Sequence, residues 1–440
     1  MSIRRLASAA VLGLATAGAA PVARAGGGGA ALFDGGPEAA SIEARVGSGG
    51  IAAPASRFAC RTCHGRDGRG SLEGGVAVPA IDPDALAVPT LGRPPYDMAS
   101  FLVALRDGVD PRGRRLAPLM PRYGVSGAEA AELLARLSEM AVRERTGVDL
   151  DGVRVGIPDG MSPDLAAAFR RAWSDRGDPR LHGRRLLVEP VGPAGDAGVF
   201  AVLFAAWPPE SEDATAGPAR GAGQGAAFGA PTLFPVAPLQ GGEDAGLVRG
   251  LFASRADQMA ALLGEAPADA LLVADEGGRA LFEGAVVPAG DARLAVSIAD
   301  PPPPSAGSAM VVMAGPAGWR RLAARRWVAS GATLYGCLDD AVGAVAELRR
   351  QGVRLVLADP RPARGGVGPD RPARERFAAA AAEVLEAALA AAGRDLTRGG
   401  LVRALSRLTV EPPGWPALDY GRVPLTGSRD VRLIRLDPTP

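Results

Sequence analysis

Lysine and asparagine are absent from the 440 residues, and histidine occurs only twice. Every one of the 49 basic residues is therefore Arg, and Gly (60) and Pro (39) are abundant. That pattern reads as the codon bias of a GC-rich genome, so the Arg content alone is no functional signal. Cysteine is scarce, and three thiols are too few for a disulfide framework. Beyond the first 25 residues no run reaches 18 consecutive apolar residues, which excludes an integral membrane protein. An excess of one charge is lacking too: 48 acidic residues offset the basic ones, which argues against a nucleic-acid binder. No P-loop, no G-x-G-x-x-G after a strand and no G-x-S-x-G elbow occurs. What is present, 47% hydrophobic and 22% charged residues over this length, fits a globular protein of two to four folding units.

Residues 1–25 have the layout of an export signal: Arg4 and Arg5, an apolar stretch from 6 to 20, and Ala23-Arg24-Ala25 as a cleavage site. A membrane anchor is the competing reading, but the stretch is short and made mostly of Ala and Gly. Little of a twin-arginine context accompanies the Arg pair. The expectation is a protein exported unfolded to a periplasm. Removing Arg4, Arg5 and Arg24 leaves 46 basic against 48 acidic residues, a charge near −2.

Residues 26–49 are small and polar and read as a flexible linker. From 50 to 142 the pattern is loop-rich and then helical. Phe101, Leu102 and Leu105 share a face of a helix ending at Gly108, and Ser126 with Glu129 forms a capping box before the stripe Leu133, Leu134, Leu137, Met140. This unit is expected to be all-α. From 150 to 440 β-rich runs alternate with helical patterns: Val153–Ile157, Arg185–Val188, Val199–Phe204, Leu271–Ala274, Met310–Met313, Val353–Leu357 and Val431–Leu436 lie between helices such as Pro163–Ser174, Ala341–Arg350 and Arg374–Ala392. Such alternation implies parallel sheets with helices on both faces, and the length implies two lobes. Glu210–Gly229 and Pro301–Ser308 read as turn-rich loops.

Chemistry concentrates in Cys60-Arg61-Thr62-Cys63-His64, the C-x-x-C-H signal for covalent haem c attachment. Two thiols three residues apart on a helical turn reach the two vinyl groups of one porphyrin, and the adjacent imidazole faces the iron. A redox dithiol would not need His64, and no second C-x-x-C completes a zinc site. The sixth iron ligand decides the chemistry. Candidates are Met98, Met120 and Met140. Met140 belongs to the apolar stripe, Met98 precedes the helix carrying Phe101, and Met120 sits between Pro118 and Pro121 in a stiffened loop. A thioether there would raise the reduction potential and close the position oxygen or peroxide needs.

Cys60 to Gly65, Gly68-Arg69-Gly70, Pro79 and Met120-Pro121-Arg122-Tyr123 together resemble a class I cytochrome c domain. The resemblance implies one haem c held by Cys60 and Cys63, with His64 and Met120 as axial ligands. It also implies that the Pro79 carbonyl orients the His64 ring and that Tyr123 lies in the haem-binding segment. Leu181-His182-Gly183-Arg184-Arg185-Leu186, the helical segments within 376–405, and Gly427-Ser428-Arg429-Asp430-Val431 resemble type I periplasmic binding proteins of the branched-chain amino-acid receptor family. That likeness spans 150–440, but Ile157-Pro158-Asp159-Gly160 replaces the family's usual Ser-Gly turn.

Other residues take plainer readings. His182 is expected at the surface or in packing, Cys337 as a buried structural thiol, Asp339 and Asp340 as helix-opening acids, and the Arg clusters as solvated. The expectation is a periplasmic one-electron carrier rather than an enzyme. It would act with a redox partner such as a quinone-dependent dehydrogenase, and the α/β domain would serve for docking. The alternative is a solute-binding or sensory protein whose α/β domain takes a small organic molecule, with the haem as redox reporter. A peroxidase would need an open distal position.

Overall fold

The computed structural model describes residues 27–47, 50–73, 75–90, 92–159, 161–192, 198–205, 230–236, 238–239, 247–275, 278, 296–297, 307–325, 331–361 and 372–439. Residues 1–25, read as an export signal, and residues 210–229 and 301–306, read as turn-rich, lie outside the described residues. The chain divides into two compact units, Met1–Glu139 and Met140–Pro440.

The first unit opens with α1 (Gly28–Asp34), β1 (Glu43–Val46) and β2 (Ile51–Pro54). There follow α2 (Cys60–His64), the hairpin β3 (Ser71–Glu73) and β4 (Val76–Val78), α3 (Pro83–Ala87), α4 (Met98–Asp107), β5 (Arg122–Tyr123) and the start of α5 (Gly127–Glu144). Two expectations are corrected here. Of the segment read as a flexible linker, 26–49, residues 27–47 are built into the unit: Leu32 and Phe33 are buried, and the Gly29 N–H donates to Glu132 at 3.1 Å. Gly29 is a packing residue, since a Cβ there would lie 2.0 Å from the Glu129 carbonyl oxygen. Nor is the unit all-α. β1 is the middle strand of an antiparallel sheet ordered β2-β1-β5, with Ala44 opposite Ala53 on one side and Tyr123 on the other. The inward position on β1 is an alanine, so the strand lacks the alternation of large apolar residues that marks one in sequence. The helix ends are as their spacing predicts. Gly108 closes α4 at φ +65°, the Ser126 N–H donates to Glu129 at 2.7 Å, and the Glu129 N–H donates to Ser126 at 3.2 Å.

Among the described residues, the second unit holds two large sheets. The first is wholly parallel and ordered β10-β9-β8-β6-β7, from β6 (Gly152–Pro158), β7 (Arg185–Val191), β8 (Ala201–Leu203), β9 (Thr232–Leu233) and β10 (Val248–Arg249). The second is ordered β12-β11-β13-β14-β15-β18, from β11 (Leu271–Ala274), β12 (Val296–Ser297), β13 (Ala309–Met313), β14 (Thr333–Cys337), β15 (Arg354–Asp359) and β18 (Arg432–Leu436). It is parallel except for the antiparallel edge strand β18. A short two-stranded sheet, β16 (Thr409–Val410) and β17 (Leu418–Asp419), puts Leu418 into the core of the first sheet.

Helices α6 (Pro163–Asp175), α11 (Ala373–Ala392) and α12 (Arg398–Leu405) share the core of the first sheet, where Phe169, Leu385 and Leu401 meet Val153 and Val155. On the second sheet, α7 (Arg255–Glu265) packs Met259 and Leu262 against one face. The other face meets α8 (Pro316–Ala324) through Trp319 and Leu322, and α10 (Val345–Arg350) through Leu348. The chain thus leaves the first sheet after β10, returns to it as α11, and ends in the second as β18. The single helix expected over Ala341–Arg350 is two short ones, α9 (Leu338–Ala341) and α10, parted by a turn through Gly343, a poor helix former.

Candidate functional site

The short helix α2 places Cys60, Cys63 and His64 on one turn, as their spacing predicts. Cys60 and His64 are buried while Cys63 is exposed. His64 Nδ1 lies 2.7 Å from the Pro79 carbonyl oxygen, which orients the ring and directs Nε2 to the opposite side. The backbone around this contact is tightly made. The Gly70 N–H donates to the His64 carbonyl at 2.7 Å, Ser71 Oγ donates to the Cys63 carbonyl at 2.6 Å, and Gly70 itself sits at φ +84°. A Cβ on Gly70 would lie 2.2 Å from the Val78 carbonyl oxygen and 3.0 Å from the Pro79 carbonyl carbon. Glycine at 70 therefore lets the hairpin end bring the Pro79 carbonyl against the imidazole.

Tyr123 is buried from the β5 side, and its hydroxyl donates to the Phe58 carbonyl at 2.8 Å. It also hydrogen-bonds with the Cys60 thiol. Burial pushes that thiol up to about 12, with the tyrosine bond working the other way. A redox-active C-x-x-C needs the opposite, a thiol lowered toward neutrality. Burial lowers His64, and the Pro79 contact opposes it, so the ring is held neutral, the form in which imidazole ligates a metal.

Met120 is partly buried, and its N–H donates to the Ala117 carbonyl at 3.1 Å. Met98 opens α4 and is 41% exposed, and Met140 is buried on α5. The unit thus brings Cys60, His64, Pro79 and Tyr123 together, with Met120 three residues before Tyr123. Two contributors carried only weak sequence signals. Gly70 is one, marked by its place in Gly68-Arg69-Gly70. Arg122 is the other: its guanidinium donates to the carbonyls of Met120, Leu116 and Ala117.

In the second unit, polar and strained residues gather at the carboxyl ends of strands, where open α/β sheets take their ligands. Phe204 and Phe234 directly follow β8 and β9 at φ +62° and +57°. Both are fully buried, and their N–H groups donate to Leu233 and Arg249 at 3.0 and 2.6 Å. A left-handed conformation costs a non-glycine residue about 1–2 kcal/mol, so packing must hold both phenylalanines there. At the corresponding ends of the second sheet, Asp340 pairs with Arg255, and Asp359 pairs with Arg361 at 2.8 Å and Arg432 at 2.5 Å. Asp339 joins this network through Arg361. Burial opposes the charge of Arg255, but the Asp340 carboxylate outweighs it and holds the guanidinium protonated. His182 is exposed with φ +53°, and its Nε2 lies 3.1 Å from the Ala390 carbonyl oxygen. Among the described residues, no group of three or more His, Cys, Asp or Glu side chains is arranged to hold a metal ion, and no helix is long and apolar enough to cross a membrane.

No protein-family model matches the chain, and no curated protein matches it in sequence. Among solved structures it is similar to a substrate-binding periplasmic protein from Ralstonia solanacearum, at 16% identity over 66% of this chain and 98% of that one, with a TM-score of 0.43. It is also similar to a possible leucine/isoleucine/valine-binding protein from Rhodopirellula baltica SH 1, at 12% identity over 66% and 95%, TM-score 0.42. A third is the solute binding protein of an ABC transporter from Rhodopseudomonas palustris BisB5 in complex with 3,4-dihydroxy benzoic acid, at 12% identity over 65% and 93%, TM-score 0.40. Likeness at this level assigns neither a family nor a ligand.

Proposed function

We propose that the first unit is a c-type haem domain that carries single electrons, and that the α/β unit is the recognition module of the same periplasmic protein. Cys60 and Cys63 would hold one haem through thioethers, with His64 and Met120 as axial ligands. The observation that carries this reading is the His64 Nδ1 to Pro79 carbonyl contact at 2.7 Å, made possible by a glycine at 70. The buried thiol of Cys60, one turn away, and the Tyr123 hydroxyl beside it fit the same group. A haem held this way supplies a one-electron ferric/ferrous couple, and a thioether ligand raises its potential and closes the position peroxide or oxygen would need.

The residues of the chain then have separate tasks. Pro79 keeps Nδ1 engaged so that His64 presents Nε2 in one orientation. Tyr123 pins β5 to the segment before α2, and the proline-bracketed loop presents Met120. On this reading the protein is a carrier and not itself an enzyme, and its partner is a periplasmic oxidoreductase such as a quinone-dependent dehydrogenase. The test is an optical redox titration of the purified protein, followed by carbon monoxide on the reduced form. A low-spin haem of positive potential that ignores carbon monoxide is the expected result. A high-spin haem that binds it readily would refute the Met120 assignment.

A second reading makes solute binding the main task and the haem its redox reporter. The observation favouring it is the pair of strained phenylalanines at adjacent strand ends of the first sheet, since strain of this kind collects at ligand clamps. Amino acids and aromatic carboxylates are the solutes to try; one of the similar structures is in complex with 3,4-dihydroxy benzoic acid. A rise in the unfolding midpoint with one such solute would support this reading, and a flat response across amino acids and aromatic carboxylates would count against it.

A further inference from the structure

We infer that Arg122 is the positioning residue that sets Met120 in place for the iron, with Gly108 as the space it requires; this rests on the haem reading above. Arg122 and Tyr123 form the short strand β5, so their side chains leave on opposite faces. Tyr123 faces the core and bonds the Phe58 carbonyl. Arg122 faces the distal loop, where Nη1 donates to the Met120 carbonyl at 2.5 Å. Its Nη2 donates to the Leu116 carbonyl at 3.1 Å and the Ala117 carbonyl at 3.3 Å. One guanidinium thus ties together both ends of the turn whose last residue is Met120. A planar fork with fixed donor directions suits this task, and a lysine ammonium on a flexible stem does not.

The guanidinium lies against Gly108, where a Cβ would fall 1.9 Å from Nε and 2.0 Å from Cζ. Gly108 also sits at φ +65° and accepts the Leu116 N–H at 2.8 Å, so the end of α4 and the distal loop share one anchor. The prolines stiffen the loop locally, while the bond from the Gly47 N–H to the Pro118 carbonyl at 3.2 Å and the Arg122 contacts tie it to the rest of the unit.

The experiment titrates imidazole, a competitor for the sixth position, into the ferric full-length protein while following the weak red absorption band of thioether-ligated haem. Arg122→Gln removes the fork, and Gly108→Ala displaces it while keeping the charge. Arg115→Gln removes a neighbouring exposed cation that makes none of these three bonds. Expected are a weakened band and an imidazole affinity about tenfold higher or more in the first two variants, the scale of losing hydrogen bonds from a charged donor. Arg115→Gln should match wild type, and Arg122→Lys should fall between wild type and Arg122→Gln. Wild-type imidazole affinity in both Arg122→Gln and Gly108→Ala would overturn the inference, as would an equal rise in Arg115→Gln, which would make charge the cause. A wild-type protein with no thioether band would remove Met120 from the iron altogether, a distinct outcome that also ends the clamp's role.

Discussion

Cys337 closes β14 inside the core formed by Met259, Leu272 and Val356, and burial pushes its thiol from 9.0 up to about 12. The thiolate is the reactive form, so this cysteine should be inert while the protein is folded. With Cys60 and Cys63 in thioethers, a thiol reagent at pH 8 should label nothing in the native protein and one thiol per chain in guanidinium. Three thiols on unfolding would instead contradict covalent haem attachment. Between pH 9 and 12 the unfolded thiol loses its proton before the folded one, so its contribution to stability is full below pH 9 and fades as pH rises through about 12. Tyr123 permits a second test at this scale. Tyr123→Phe keeps the ring but leaves the Phe58 carbonyl without its donor, which should cost about 1–2 kcal/mol in urea unfolding. The chemistry-bearing residues were legible because C-x-x-C-H is a fixed spacing. Arg122 was not, because nothing in a list of Arg residues marks the one aimed at backbone carbonyls.

At the scale of elements, what a sequence shows depends on how much side chain each position exposes to view. α5 was readable from its capping box and its leucine stripe, because large apolar residues recur at helical spacing. α1 and β1 were not: their inward positions include Gly29 and Ala44, and small residues that allow close approach look the same as small residues in a linker. The two readings make opposite predictions. In a tether, Gly29→Val would be silent. In the structure its Cβ would meet the Glu129 carbonyl, and forcing the helices apart should cost about 1–3 kcal/mol, lowering the thermal midpoint by several degrees. Deleting 27–46 removes the middle strand of the β2-β1-β5 sheet and should lose the fold of the first unit, seen as loss of protection of α5 amides from hydrogen exchange.

Across the whole molecule, the alternation of strands and helices from 150 onward was enough to expect two parallel-sheet lobes, because continuous apolar strands buried on both faces leave a strong trace. The order in which the chain visits the lobes leaves none. β18, the last strand, is held at the edge of the second sheet by its antiparallel ladder to β15 and by the Arg432 bond to Asp359. Asp359 is 4% exposed. Burial raises its pKa, but hydrogen bonds from Arg432 and Arg361 more than offset this, and the net shift is downward. A carboxyl with a depressed folded pKa adds stability above its unfolded value, and that contribution disappears as pH falls through the folded pKa. Stability should therefore decline on the acid side of the ordinary carboxylate range, and Asp359→Asn should flatten that part of the profile. The same variant should lose about 2 kcal/mol at neutral pH, where both arginines would face a neutral amide. Chemical denaturation from pH 3 to 8 measures both effects. Superimposable wild-type and variant profiles would mean that the ladder, and not the carboxylate, holds the terminal strand.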